Sequence, residues 1–165
     1  MLHAPIPPDD EARLQSLREL LILDTPPEER FDRLVEFAAS EFDVPMALIS
    51  LVDRHRQWFK ARVGLAPCET SREISFCGHA ITQDQLFEVQ NALQDPRFAD
   101  NPLVVGAPHI RSYLGAPLVL PGGARVGTLC LLDTRPREFD AMDRAILGTL
   151  RDLVVAELLG QGAGE

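Results

Sequence analysis

The period of the apolar residues changes once, near Asp43, and that change limits the folds open to this chain. Before it, "DDEARLQSLRELLILD" sets Leu14, Leu17, Leu20 and Leu21 at i, i+3, i+6 and i+7 behind an acidic start. That spacing predicts an amphipathic helix with carboxylates at its positive end. A second stripe follows through Phe31, Leu34, Val35, Ala38 and Phe42. Its start signal is Thr25 as cap, Pro26 at the first helical position and Glu28 three residues after Thr25. Past Asp43 the apolar residues alternate or run continuously. "PMALISLVD" predicts a strand buried on both faces. "QWFKARVG" alternates, with Gln57, Phe59, Ala61 and Val63 on one face and Trp58, Lys60 and Arg62 on the other. The short "DRHR" between these runs makes them an antiparallel pair.

Leu65 to Thr70 reads as loop and "ISFCGHAI" as the start of a short helix. "LFEVQN" is a further strand, and "ALQDPRFADNPLVVGAPHI" is a long connection of the kind that carries function. "RSYLGAPLVL" and "RVGTLCLLD" are strands joined by the turn residues "PGGA". "DAMDRAILGTLRDLVVAELL" is a closing helix, and "GQGAGE" after it is expected to fray. Runs of strands flanked by helices, without β-α-β alternation, argue an α+β fold. The expected architecture is a central antiparallel sheet of five or six strands. Terminal helices cover one face, and loops and short helices form a pocket on the other. A single domain over 1–165 is expected, with a helical segment over about 9–42, the sheet over about 44–133 and the last helix over about 139–159.

A net charge of −9 argues against nucleic acid as partner. No apolar run has a membrane span's length, and the N-terminus lacks the basic and apolar regions of a secretion signal. Three cysteines, an odd count, argue for reduced thiols and a cytoplasmic location. Cys77 and His79 are the closest approach to a catalytic pair. At a helix start, however, residues two apart diverge by about 200°, which favours neither a nucleophile with its base nor joint metal ligation. Cys-x-His supplies at most two metal ligands, and no second short pair exists among Cys68, His55, His109 and Cys130. Phosphate-loop and GxSxG motifs are absent. No catalytic residue and no metal site are expected. In the long connection, Asp95, Arg97, Asp100 and Asn101 suit either a polar ligand or turn chemistry. On the last helix Ile146, Leu147, Leu150, Leu153, Val154 and Leu158 spread over more than one side. The surplus serves either as extra core or as a two-fold dimer face.

With these segments in order, the chain resembles the GAF domain family. The carriers are "LRELLILDTPPEERFDRLVEFAASEFDVPMALISLVD", "QWFKARVG", "ISFCGHAI", "DPRFADNPLV", "IRSYLGAPLVL" and "GARVGTLCLLDTRPREF". The pattern is similar to the subgroup placed before histidine kinases, diguanylate cyclases or phosphatases. The resemblance implies a GAF/PAS-like fold with a ligand pocket on the face away from the terminal helices. GAF domains bind cyclic nucleotides, bilins, haem or oxo-acids, so the fold leaves the ligand and any cofactor unknown. The Asn-Lys…Phe…Asp-Glu signature of cyclic-nucleotide phosphodiesterases and the Cys-His dipeptide of bilin binders are absent. Cys77 resembles one cysteine of the free methionine sulfoxide reductases, but Asn101 to Ser112 lacks the second cysteine their chemistry requires.

The expectation is therefore a non-enzymatic sensor that binds an unidentified small molecule between the sheet and the segments Ile74–Ile81 and Asp95–Tyr113. Candidate lining residues are Phe76, Cys77, His79, Arg97, Asn101 and Tyr113, supplying apolar packing, hydrogen bonds and anion pairing. A homodimer through the terminal helices is expected. A histidine kinase or diguanylate cyclase output is expected in a partner or in a longer receptor. The alternatives are a Cys77-dependent redox enzyme and a ligand-free dimerisation module.

Overall fold

The computed structural model describes residues 1–160; of the expected frayed tail, 160–165, all but Gly160 lies outside them. Helices α1 (Asp10–Glu19) and α2 (Glu29–Phe42) lead into strands β1 (Met46–Val52), β2 (Arg56–Val63) and the short β3 (Glu69–Ser71). Helix α3 (Phe76–Ala80) and strand β4 (Phe87–Val89) follow. Then come α4 (Pro102–Val105), β5 (Ser112–Val119), β6 (Arg125–Asp133) and α5 (Ala141–Leu158). The strands form one antiparallel sheet in the order β3-β2-β1-β6-β5-β4. The fold is the expected α+β architecture, with six strands.

Each face of the sheet carries its own apolar layer. On one side Ala47, Ile49, Leu51, Leu114, Leu129 and Leu131 pack with Phe31, Val35 and Ala38 of α2 and with Leu147, Leu150 and Val154 of α5. On the other, Met46, Leu48, Cys130 and Leu132 pack with α3 and with Phe98, Val104 and Ile110 of the long connection. Strand β1 is buried along its whole length because it feeds both layers. Burying a side chain of Leu or Phe size contributes about 1.5–3 kcal/mol, so the two layers together hold the sheet in place.

Four local expectations are corrected. The alternation of β2 breaks at Lys60: Ile49 pairs with Ala61 but Ser50 pairs with Phe59, leaving Lys60 unmatched in a β-bulge. Trp58 and Ala61 therefore share the helix-side layer, with Val63 packed against it, while Phe59 faces the other way. Lys60, with a fully buried side chain, reaches Glu28, Thr25 and the Pro26 carbonyl. The second correction is the start of α2, which begins after Glu28 and not at Pro26. Pro27 disfavours helical geometry at Pro26, so Thr25 bonds the Ile22 carbonyl instead of capping. Third, α1 stops at Glu19 and leaves Leu21 exposed at positive φ. Fourth, Glu69 and Thr70, expected as loop, join Ser71 in the edge strand β3 against β2. The long connection also contains a 3-10 turn over Ala92–Gln94 and the helix α4.

A buried ionic triad fixes the approach to α3. Asp10 accepts from Arg13 Nε at 2.9 Å and from Arg72 Nη2 at 2.8 Å, joining α1 to the turn just before α3. All three residues are buried. Burial alone would raise the Asp10 carboxyl, but the hydrogen bonds from Arg72 and Arg13 outweigh it and hold it below the usual range. Among the described residues no helix is long and apolar enough to cross a membrane.

Candidate functional site

Helix α3 is only five residues long, too short to persist without its cap and packing. Ser75 supplies the cap: its Oγ accepts from Gly78 N at 2.9 Å and donates to the Arg72 carbonyl at 2.6 Å. The first turn then presents Phe76 and Cys77 to the sheet. Phe76 lies between Phe98, stacked at 4.1 Å, and Tyr113 at 5.3 Å. Tyr113 lies along its own strand over Gly115, where a Cβ would collide with the phenol ring. That missing side chain lets the Tyr113 hydroxyl donate to Cys77 Sγ at 3.2 Å. Thr128 Oγ1 donates to the same sulfur at 3.1 Å, and Cys130 Sγ lies 3.8 Å from it. This is contact between two free thiols, far from the roughly 2.05 Å of a disulfide bond.

Burial pushes the Cys77 thiol up, but hydrogen bonds, chiefly from Cys130, Thr128 and Tyr113, outweigh that and bring it down to about 7. The cost falls on its neighbours. Burial raises Cys130 well above its ordinary value, helped by its bond to Cys77. Burial and the charge of Cys77 raise Tyr113 in the same way. The site can therefore hold a thiolate, with no imidazole as its base.

Beside this wall lies a cavity of about 210 Å³ between the sheet and the surface segments. Met46, Leu48, Gln57, Phe59 and Leu132 form its sheet wall, and Phe76, Cys77 and Tyr113 close one side. Gly64 to Pro67 with Thr70, and Leu103 to Ile110 in part, form the outer rim. Gly64 has φ +77°, and a Cβ there would run into the Pro45 carbonyl, so glycine allows the chain to leave β2 and fold over the cavity. The polar groups on the wall are joined: Ser50 Oγ donates to Gln57 Oε1 at 2.9 Å, and Gln57 Nε2 donates to Thr70 Oγ1 at 2.7 Å.

Of the six residues singled out from the sequence, the structure brings Phe76, Cys77 and Tyr113 to this cavity. It does not bring His79, Arg97 or Asn101 there. His79 diverges from Cys77 around α3 and packs against Phe98 at 4.8 Å, where burial lowers its pKa. Arg97 forms a two-point pair with Asp95 and lies over Phe87 and Phe98. Asn101 caps α4 at Leu103 N and donates to the Ile74 carbonyl. Turn chemistry thus accounts for the last two. Sequence reasoning missed Gln57, Thr70 and the Gly64–Pro67 rim. The one available signal was Gln57, a polar residue in an otherwise apolar alternation. Among the described residues no cluster of three or more His, Cys, Asp or Glu side chains is placed to hold a metal.

A sequence profile of the GAF domain matches residues 26–158. The cyclic di-GMP phosphodiesterase PA2567 of Pseudomonas aeruginosa is 42% identical over 159 residues, 96% of this chain but 27% of that protein. The chain thus spans about a quarter of that curated relative's length. The GAF domain of an Acinetobacter phosphoenolpyruvate-protein phosphotransferase aligns with a TM-score of 0.66 at 22% identity, covering 93% of this chain and 96% of that one. The free methionine-R-sulfoxide reductase of Neisseria meningitidis aligns with a TM-score of 0.63 at 19% identity, covering 99% of both chains. At such identities these structures speak for the fold alone. Since the profile runs from the loop before α2 to the end of α5 across this sheet, the chain belongs to the GAF domain family.

Proposed function

We propose that this GAF domain is a non-enzymatic, cytoplasmic sensor of a small molecule. The cavity between the sheet and the rim Gly64–Thr70 carries the reading, because close-packed interiors leave few voids of about 210 Å³. Ligand binding there would bias the rim and α3. The sheet they share with α2 and α5 offers a route to a partner or an attached output domain. The P. aeruginosa relative, in which a matching segment is a minor part of a phosphodiesterase, supports an output that acts on cyclic di-GMP. The subgroup pattern gives a histidine kinase or a diguanylate cyclase as the alternative outputs. A homodimer through the terminal helices completes the proposal.

Thermal melting of the purified chain with a broad panel of metabolites, alongside native mass spectrometry for retained adducts, tests this. At least one compound is expected to raise the midpoint at saturation. A panel with no shift and no adduct would leave a ligand-free dimerisation module as the better description.

The donors around Cys77 and the neighbouring Cys130 favour a second reading, a thiol-dependent redox enzyme. Against the reductase version stands the cavity lining, which has no charged side chain to meet the carboxylate and ammonium of a free amino acid. Turnover of free methionine sulfoxide with dithiothreitol, abolished by Cys77→Ser, would sink the non-enzymatic reading.

A further inference from the structure

Resting on the sensor reading, we propose that the cavity takes an uncharged, mostly apolar molecule of about eight to ten non-hydrogen atoms that offers one hydrogen-bond acceptor to Thr70. Size is the first argument. An engineered apolar cavity of about 150 Å³ holds one benzene, and the volume here is about 210 Å³. A cyclic dinucleotide is several times too large.

Charge is the second argument. Among the described residues no Arg, Lys, His, Asp or Glu lines the cavity. An ionised group placed there would lose its hydration with no charge other than the Cys77 sulfur to offset it, which costs far more than apolar contact regains. A thiolate at Cys77 would repel an anion further. Its sulfur already faces the hydroxyls of Tyr113 and Thr128 and the thiol of Cys130, so a cation finds it occupied.

The third argument is the pattern of hydrogen bonds on the wall. The Tyr113 hydroxyl is directed at Cys77, and Gln57 is held between Ser50 and Thr70. Thr70 Oγ1 accepts from Gln57, but among the described residues its own proton reaches no acceptor. That hydroxyl is half-buried on the rim, so a carbonyl or ether oxygen entering from the rim would meet it.

Thermal melts of the whole chain with acetophenone, with its near-isosteres benzoate and benzylammonium, and with ethylbenzene test the proposal. Acetophenone is expected to raise the midpoint by several degrees at saturation, ethylbenzene by less, and the two ions not at all. Leu132→Phe, which fills the cavity, is expected to abolish the acetophenone shift. Should that variant fail to fold, Thr70→Val gives the answer: acetophenone affinity falls about five- to tenfold and ethylbenzene is unaffected. An equal shift with benzoate or benzylammonium overturns the proposal. So does a shift confined to charged compounds of the wider metabolite panel, which leaves the sensor reading standing. No shift with any compound overturns both. Acetophenone binding that is indifferent to Thr70→Val overturns the hydrogen-bonding part.

Discussion

Tyr113 donates to Cys77 Sγ at 3.2 Å while its ring stays in the Phe76 stack, so Tyr113→Phe removes the donor and keeps the packing. The Cys77 thiol, held at about 7, is expected to move upward toward its ordinary range in that variant. Its reaction rate with a small neutral methanethiosulfonate, followed against pH by peptide mass, reports the midpoint. An unchanged midpoint would show that Tyr113 does not stabilise the thiolate. Asp10 makes a different residue-scale case, since its carboxylate is the shared partner of two buried guanidinium groups. Among the described residues Arg13 Nη2 and Arg72 Nε already find no partner, so the triad has no spare acceptor there. Asp10→Asn is expected to lower the unfolding free energy by about 3–5 kcal/mol in urea titrations, because it strands two buried cations.

At the scale of elements, α3 depends on one side chain. Ser75→Ala removes both the cap to Gly78 and the link to the Arg72 carbonyl, and is expected to destabilise the protein by about 1 kcal/mol. Faster methylthiolation of Cys77 should accompany the loss, since α3 carries that residue. A fall in stability without faster labelling would mean that packing alone holds the helix. The strands show where periodicity is a sufficient guide and where it is not. "PMALISLVD" lies buried on both faces as its unbroken apolar run requires. "QWFKARVG" alternates flawlessly as a string, yet the bulge at Lys60 moves Ala61 and Val63 to the opposite face from Phe59. A bulge is decided by the register of the partner strand and by what Lys60 finds across the sheet, here Glu28, Thr25 and Pro26. None of these is its neighbour in sequence.

For the molecule as a whole, two windows on the acid side follow from buried groups. His79 is buried and its pKa is lowered by desolvation and by Arg97, against the opposing pull of a Leu2 backbone hydrogen bond and of Asp95. The unfolded chain, with His near 6.5, then binds a proton that the folded chain refuses. Stability is expected to fall as pH drops below about 6.5 and to level off below the folded pKa. His79→Phe should flatten that part of a melting-temperature profile. Asp10 and Asp95, both lowered by their arginine partners although burial opposes it, add a second loss below about pH 4. Association is the other whole-molecule property. On α5, Leu147, Leu150, Val154 and Leu158 are taken up by the core, while Leu153 is 49% exposed and Phe37 on α2 is 51% exposed. If these helices form the proposed dimer, Leu153→Glu is expected to convert it to monomer in sedimentation velocity runs, with little effect on the melting temperature.

The order of the longer helices and strands, their antiparallel arrangement and the two-sided burial of β1 were determined by the sequence alone, whereas β3 and α4 were not. The former follow from local periodicity, and from the rule that each apolar face must be covered. Tertiary structure decided the rest. The bulge at Lys60, the folding of Gly64–Thr70 over the cavity and the gathering of Gln57, Thr70, Cys77 and Tyr113 around it depend on contacts between segments far apart in the chain. The withdrawal of Arg97 and Asn101 is the exception: Asp95 and Leu103, each two residues away, already engage them, and a group so engaged is not free for a ligand.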